Sequence, residues 1–266
     1  MPFPPSASEA SAAWPAHARA LLHEQPYAAG TVDAGLLGAQ TLVTRQTSAA
    51  LYAPPAPSPA HTLSSRPQLE RIVERVSGGQ RETFAKLAAL TRWCSRIPRD
   101  SASAEAGAAG FGADFTGFLW GGDEETVIAK RSPWPQELAR VLASLSQIAG
   151  AESRLVFLYR ADPPEMHTVV EAWAAGGWTV FDPCANRFFP WPHHGYASAL
   201  SLQQNPRLVD QTPEHGRVRY VESAFYRTIG IASYRVRDRD RYNYAMQRLR
   251  PSDLPLLRRA AEVFEP

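Results

Sequence analysis

Cysteine is nearly absent from this chain: its 266 residues hold two, Cys94 and Cys184, far apart in sequence. Two such thiols make neither a disulfide scaffold nor a zinc site of the CxxC type. An excess of one charge is missing too. The 28 lysines and arginines against 26 aspartates and glutamates leave a formal net charge of +2. Arginines sit beside acids, as in Arg235-Val236-Arg237-Asp238-Arg239-Asp240, which reads as a solvated face or turn rather than a phosphate-binding patch. No nucleic-acid partner is expected. No apolar run approaches the roughly 20 residues of a membrane span, so no membrane partner is expected either. Met1 to Trp14 lacks a basic stretch followed by an apolar core, so no secretory signal is expected and a cytoplasmic location is. Adjacent histidines occur once, in Pro192-His193-His194-Gly195. Neighbouring side chains point apart and no acid or cysteine stands at a supporting spacing, so this is a surface turn and no metal or other cofactor is expected.

What is present suits a globular protein: 44% hydrophobic and 20% charged residues are ordinary values. Richness in Ala, Arg and Pro suggests a bacterial, GC-rich genome. Residues 1–65 form a Pro/Ala-rich N-terminal extension, with Met1-Pro2-Phe3-Pro4-Pro5 and Pro54-Pro55-Ala56-Pro57-Ser58-Pro59 favouring extended or turn backbone. Within it Pro15 to Glu24 reads as a short helix and Thr41 to Tyr52 as room for one strand. The segment is expected to wrap the core or stay mobile. Residues 66–200 form the core, and 201–266 an irregular and helical C-terminal extension of the same domain.

Inside the core, Leu69, Ile72, Val73 and Val76 recur at helical spacing. Gly78-Gly79 break the run, Phe84, Leu87, Leu90 and Trp93 continue it, and Pro98 stops it. Ser101 to Gly112 is a flexible loop by composition. Gly121-Gly122-Asp123-Glu124-Glu125 marks a turn and the start of a helix, because acidic side chains favour a helix N-terminus. From Pro135 to Ala149 one face carries Leu138, Val141, Leu142 and Leu145. Pro135 suits the first turn, where its missing N–H costs nothing, and Gly150 ends the helix. The period then changes. Arg154–Tyr159, Thr168–Ala174 and Trp178–Phe181 read as strands, the last two joined by a hairpin at Gly176-Gly177. Helix followed by antiparallel hairpin gives an α+β fold, a central helix packed on an antiparallel sheet. From Pro192 the chain reads as irregular, with tyrosines at Phe225–Tyr226 and Tyr242–Tyr244 and a last helix from Ser252 to Phe264.

One constellation carries chemistry. Ala139 lies in the helix, Gly150-Ala151-Glu152-Ser153-Arg154 leaves it, His167 is followed by Glu171, and Trp178 by Asp182-Pro183. This resembles the transglutaminase-like, papain-related family, in which a cysteine opens the helix, histidine and aspartate follow on successive strands, and alanine stands four positions after the cysteine. Leu90-Thr91-Arg92-Trp93 and Gly122-Asp123-Glu124-Glu125 look like a bacterial branch of it. The resemblance spans about Arg66 to Phe189. It implies a papain-like core with His167 as general base and Asp182 as the residue that orients it. In such sites a thiolate at a helix N-terminus is stabilised by the helix dipole and the adjacent imidazole, and acyl transfer runs through a thioester. Counting back from Ala139, the nucleophile position falls on Pro135, in Ser132-Pro133-Trp134-Pro135-Gln136-Glu137. Proline has no nucleophile, so conventional thiol acyl transfer is not expected.

Three readings follow. In the first, His167 oriented by Asp182 performs acid–base chemistry without a thiol, by elimination, cyclisation or hydrolysis, on a small-molecule or carrier-bound acyl substrate. In the second, the His–Asp pair is a structural hydrogen bond and the chain is a pseudoenzyme that binds or scaffolds, holding a peptide or a partner's loop. In the third, acyl transfer survives on a relocated nucleophile, Cys184 or Ser132. The first is favoured slightly, because both partners remain. Pro183 argues against a strand that would present Cys184, and Cys94 beside Trp93 is a core thiol. Trp134, Gln136, Glu171 and Trp178 are the expected pocket residues, Trp134 foremost.

Overall fold

Helical and strand segments part company at Gly150, which turns the chain from one layer into the other at φ +90°. The computed structural model describes residues 41–43, 45–55, 61–97, 123–131, 135–160, 165–211 and 222–236. In chain order these form β1 (Thr41–Leu42), α1 (Arg45–Leu51), α2 (Pro67–Ser77), α3 (Thr83–Ser95), α4 (Glu124–Lys130) and α5 (Pro135–Ile148). Then come β2 (Ser153–Arg160), β3 (Glu165–Ala174), β4 (Gly177–Phe181) and a small ribbon of β5 (Pro190–Trp191) and β6 (Gly195–Tyr196). Short helices α6 (Ala199–Gln204) and α7 (Arg207–Gln211), a 3-10 turn (Ser223–Arg227) and β7 (Thr228–Ser233) close the described chain.

The main sheet is antiparallel, in the order β1-β7-β2-β3-β4. Strand alternation sorts its side chains into two apolar layers. Leu155, Phe157, Val170, Ala172, Phe181 and Ala232 pack with Leu142 and Leu145 of α5 and with Leu69, Leu87 and Leu90 of α2 and α3. Val156, Leu158, Val169, Val180 and Ile231 pack on the other face with Leu202, Val209, Phe225 and Tyr226. The α+β expectation therefore holds, with α5 lying on an antiparallel sheet. Almost all of α5 is buried, its polar residues included, so it is the central helix of its layer.

Local chemistry sets the helix ends. Pro67 occupies the first turn of α2. Asp123 caps α4 by accepting from the Thr126 amide at 2.9 Å and the Thr126 hydroxyl at 2.6 Å. The start of α5 is braced by buried charge. Glu124 accepts from Arg66 at 2.5 Å and Arg140 at 3.3 Å, and also from the Tyr234 hydroxyl. Gln147 holds the chain beyond β7, donating to the Tyr234 carbonyl at 2.7 Å and accepting from the Val236 amide at 2.9 Å.

Several expectations need correction. The hairpin turn is Ala175-Gly176, at φ 52° and 82°, and Gly177 already opens β4 opposite Ala174; two successive positive φ angles are what a two-residue hairpin demands. Thr41 to Tyr52 does hold one strand, the two-residue β1, but most of the segment is helix α1. The chain after Pro192 is not irregular throughout, because β7 lies inside the sheet between β1 and β2. Its alternation is short, with Ile229 and Ile231 on one face and small Gly230 and Ala232 towards the other, and small residues carry little strand signal. The expected helices at Pro15–Glu24 and Ser252–Phe264, the loop at Ser101–Gly112, Pro98 and Tyr242–Tyr244 lie outside the described residues.

The described part of the N-terminal segment docks on the core. Arg154 donates to the Leu51 carbonyl at 2.5 Å, Trp178 Nε1 to the Ala53 carbonyl at 3.1 Å, and the Leu200 amide to the Tyr52 hydroxyl at 3.0 Å. The Arg154 guanidinium lies over both rings, 4.8 Å from the Tyr52 centroid and 3.9 Å from that of Trp178, a cation–π sandwich.

Candidate functional site

Proline opens the central helix. Pro135 is half-buried at the first position of α5, with Ala139 fully buried one turn on. No cysteine stands there: Cys94 lies in α3 and Cys184 follows β4, and both are buried. Burial pushes the Cys94 thiol far above its ordinary value, which leaves it inert. Ser132 and Trp134 lie outside the described residues.

His167 and Asp182 come from neighbouring strands and meet. His167 Nε2 is 2.9 Å from Asp182 Oδ2, and the side chains are 2% and 0% exposed. The second carboxylate oxygen of Asp182 accepts from the backbone amides of Cys184 at 2.8 Å and Ala185 at 3.1 Å. Burial alone would raise the Asp182 carboxyl, but the charge and hydrogen bond of His167, with the two amides, hold it below the ordinary carboxylate value. Asp182 also closes a tight turn with Arg187 through reciprocal backbone bonds of 2.8 and 3.1 Å. Strand β4 has ended by then, as Pro183 predicts, and Cys184 sits in that turn with its sulfur side buried. The Phe225 ring stands edge-on to His167 at 6.3 Å between centroids.

Register decides which side chains address α5. His167 pairs with Leu158 and Thr168 with Phe157. Leu158 and Val169 belong to the apolar layer of Phe225, whereas Phe157 and Val170 belong to the layer of α5. His167 thus shares the Phe225 face, and Thr168 faces α5. Height along the helix follows from Ser153, which pairs with Ala172 and donates to the Ala143 carbonyl at 3.0 Å. From Ala172 to Thr168 the strand climbs about 13 Å; from Ala143 back to Pro135 the helix climbs about 12 Å. Thr168 therefore faces the layer of α5, on the side of the helix's N-terminal half, which opens with its first turn. Its hydroxyl is buried without a hydrogen-bond partner, and so is Nε2 of Gln136 in that turn.

Glu171 and Trp178, expected in a pocket, are committed elsewhere. Glu171 accepts from Arg154 Nε at 2.8 Å and from the Ala199 amide at the start of α6 at 2.6 Å. Trp178 carries Arg154 on its face. Gln136 does lie at the helix start, 5% exposed. Thr168, Phe225, Tyr226 and Arg187 escaped the sequence reading. Thr168 could have been found from strand alternation beside His167, but Phe225 and Tyr226 lie in the 3-10 turn and Arg187 in the turn after β4, segments without a periodic pattern to read. His193 and His194 are exposed in the β5–β6 turn, and among the described residues no cluster of three or more His, Cys, Asp or Glu could hold a metal. No described helix is long and apolar enough to cross a membrane.

Similarity to known proteins falls on this region. Residues 70–183 match the Transglutaminase-like superfamily. No curated protein matches the chain. Among solved structures, a protein from Cytophaga hutchinsonii put forward as a cysteine protease is similar at 19% identity and a TM-score of 0.35, over 53% of this chain and 43% of that one. A TGase structure is similar at 16% identity and a TM-score of 0.36, over 46% of this chain and 33% of that one. This chain therefore spans less than half the length of either, and neither likeness bears on its activity. Residues 70–183 carry the transglutaminase-like fold, and β7, outside that span, lies in the same sheet.

Proposed function

We propose that this chain is a binding or scaffolding protein built on the transglutaminase-like fold, with Pro135 at the position of a lost nucleophile. The observation that carries the reading is Pro135 itself. A prolyl residue at the head of α5 supplies no thiol, and it has no N–H to offer a developing oxyanion. Acyl transfer loses its nucleophile and a stabilising donor in one side chain. Burial of the His167–Asp182 pair supports the same reading, since a general base has to come within about 3 Å of the proton it takes. The partner is a peptide or a loop of another protein. Expression of wild type and His167→Gln in a native host deleted for this chain tests it. Equal rescue of the deletion phenotype is expected, and failure of a folded His167→Gln would overturn the reading.

A second reading, acid–base catalysis, is favoured by the retained 2.9 Å contact, which fixes the imidazole tautomer as a catalytic dyad requires. With Nε2 committed to Asp182, proton transfer would run through Nδ1. Turnover of a small-molecule or carrier-bound acyl substrate that disappears with His167→Gln would establish this reading in place of the first.

A further inference from the structure

We infer that the seat of Tyr52 on the core docks a tyrosine-bearing loop of the binding partner. The chain's own Leu51-Tyr52-Ala53 fills that seat until the partner displaces it. The inference rests on the binding reading and names where the partner docks and what it presents.

Three core groups close on one tyrosine. The Leu200 amide donates to the Tyr52 hydroxyl at 3.0 Å, and the Arg154 guanidinium lies 4.8 Å from the centre of the ring. Arg154 also donates to the carbonyl before the tyrosine, that of Leu51, at 2.5 Å. Trp178 Nε1 donates to the carbonyl after it, that of Ala53, at 3.1 Å. Together these contacts read a phenol and the main-chain carbonyls on either side of it. Burial and the Glu171 carboxylate push the Tyr52 phenol well above its ordinary value, so the hydroxyl recognised is a neutral one.

The receiving groups are positioned by the core itself. Arg154 Nε donates to Glu171 at 2.8 Å, and Nη2 lies 2.7 Å from the same carboxylate oxygen. Glu171 is fixed in turn by the Ala199 amide at 2.6 Å. Trp178 stands edge-on to Trp173, 5.7 Å between centroids, and the Leu200 amide is placed by α6, which Ser198 caps. A site preformed in this way loses little freedom on binding. The segment that fills it is lightly held by contrast. Val43 and Thr47 are buried, but Leu51 and Tyr52 are half-buried, and Arg45, Ala49, Ala50 and Ala53 are exposed. Segments that bury few apolar side chains open locally with little loss of free energy. A buried arginine–glutamate pair is costly where apolar contact would tether a segment equally well, so its presence beneath Tyr52 points to recognition.

The full-length chain tests this, with a synthetic peptide of residues 45–55 as the probe. Tyr52→Ala vacates the seat, and the peptide is expected to shift the Trp178 indole N–H resonance of that variant saturably. The same peptide carrying Tyr52→Phe is expected to bind about tenfold more weakly, the loss of one hydrogen bond. Wild type is expected to bind the tyrosine peptide more weakly than Tyr52→Ala by about tenfold or more, because its tethered tyrosine competes. No saturable shift in Tyr52→Ala, or equal affinity for the two peptides or of the two proteins, would overturn the inference. Should Tyr52→Ala fail to fold, wild type alone decides. Excess peptide is then expected to quicken hydrogen exchange over residues 45–53, and unchanged exchange would overturn the inference. Failure here with intact rescue by His167→Gln leaves the binding reading standing and removes only this site.

Discussion

His167 Nε2 and Asp182 Oδ2 lie 2.9 Å apart with both side chains closed off from solvent. The two residues are held by adjacent strands, and the carboxylate also accepts two amides from the turn that follows. Both carboxylate oxygens of Asp182 are thus tied to backbone or to a strand neighbour, an arrangement that fixes the end of β4 whatever else it does.

Acid should unfold the protein through this carboxylate. The folded Asp182 titrates below its ordinary value, so the unfolded chain takes up the proton more readily. Its contribution is complete above the unfolded pKa of about 3.9 and is lost as pH falls through the lower folded value. Urea midpoints measured downward from pH 5 are expected to fall less steeply for Asp182→Asn than for wild type, from a lower starting point. Parallel curves would remove Asp182 from the acid transition.

The buried charges at α4 set a second expectation. Glu124 is fully buried between Arg66, Arg140 and Tyr234. Arg140→Met leaves its carboxylate short of a cation, and a loss of about 3–5 kcal/mol is expected. Tyr234→Phe removes one donor to a charged acceptor and should cost about 1.5–3 kcal/mol. Chemical denaturation of both variants checks the order.

Arg154 anchors the N-terminal segment by one hydrogen bond and two ring faces. Lysine keeps the charge but not the planar guanidinium that stacks between Tyr52 and Trp178. Hydrogen exchange over residues 45–53 is expected to quicken in Arg154→Lys while that of α5 stays unchanged.

A fragment cut to residues 70–183, the span of the family match, keeps β2, β3 and β4 but loses β7, whose Ile229 and Ile231 fill the layer beneath Val156 and Leu158. Strand β2 would become an exposed apolar edge. This fragment is expected to aggregate or to lack a cooperative unfolding transition, in contrast to one covering 41–236.

Local periodicity made α5 and the β2–β4 meander legible in the sequence, because each repeats its pattern over enough residues to be read alone. The resemblance to the transglutaminase-like family carried by Ala139, Gly150, Arg154, His167 and Asp182 then implied the fold. Strand β7 was hidden, since Gly230 and Ala232, which pair with Phe157 and Leu155 across β2, leave it with only two β-branched apolar residues, Ile229 and Ile231, too short an alternation to be read alone. Glu171 and Trp178 looked like pocket residues for the same cause: their partners, Arg154, Ala199 and Ala53, are brought together by tertiary packing alone. Thr168 could be placed towards α5 only once the pairing of β2 with β3 was known.

The structural role of the His167–Asp182 pair is tested most directly by a double-mutant cycle in equilibrium unfolding, with His167→Ala, Asp182→Ala and the double variant. A pair kept for packing predicts that each single variant loses stability and that the two couple by about 0.5–3 kcal/mol. A catalytic pair held at the expense of stability predicts the opposite sign: an unchanged or raised unfolding midpoint in His167→Ala, without coupling to Asp182, would contradict the account.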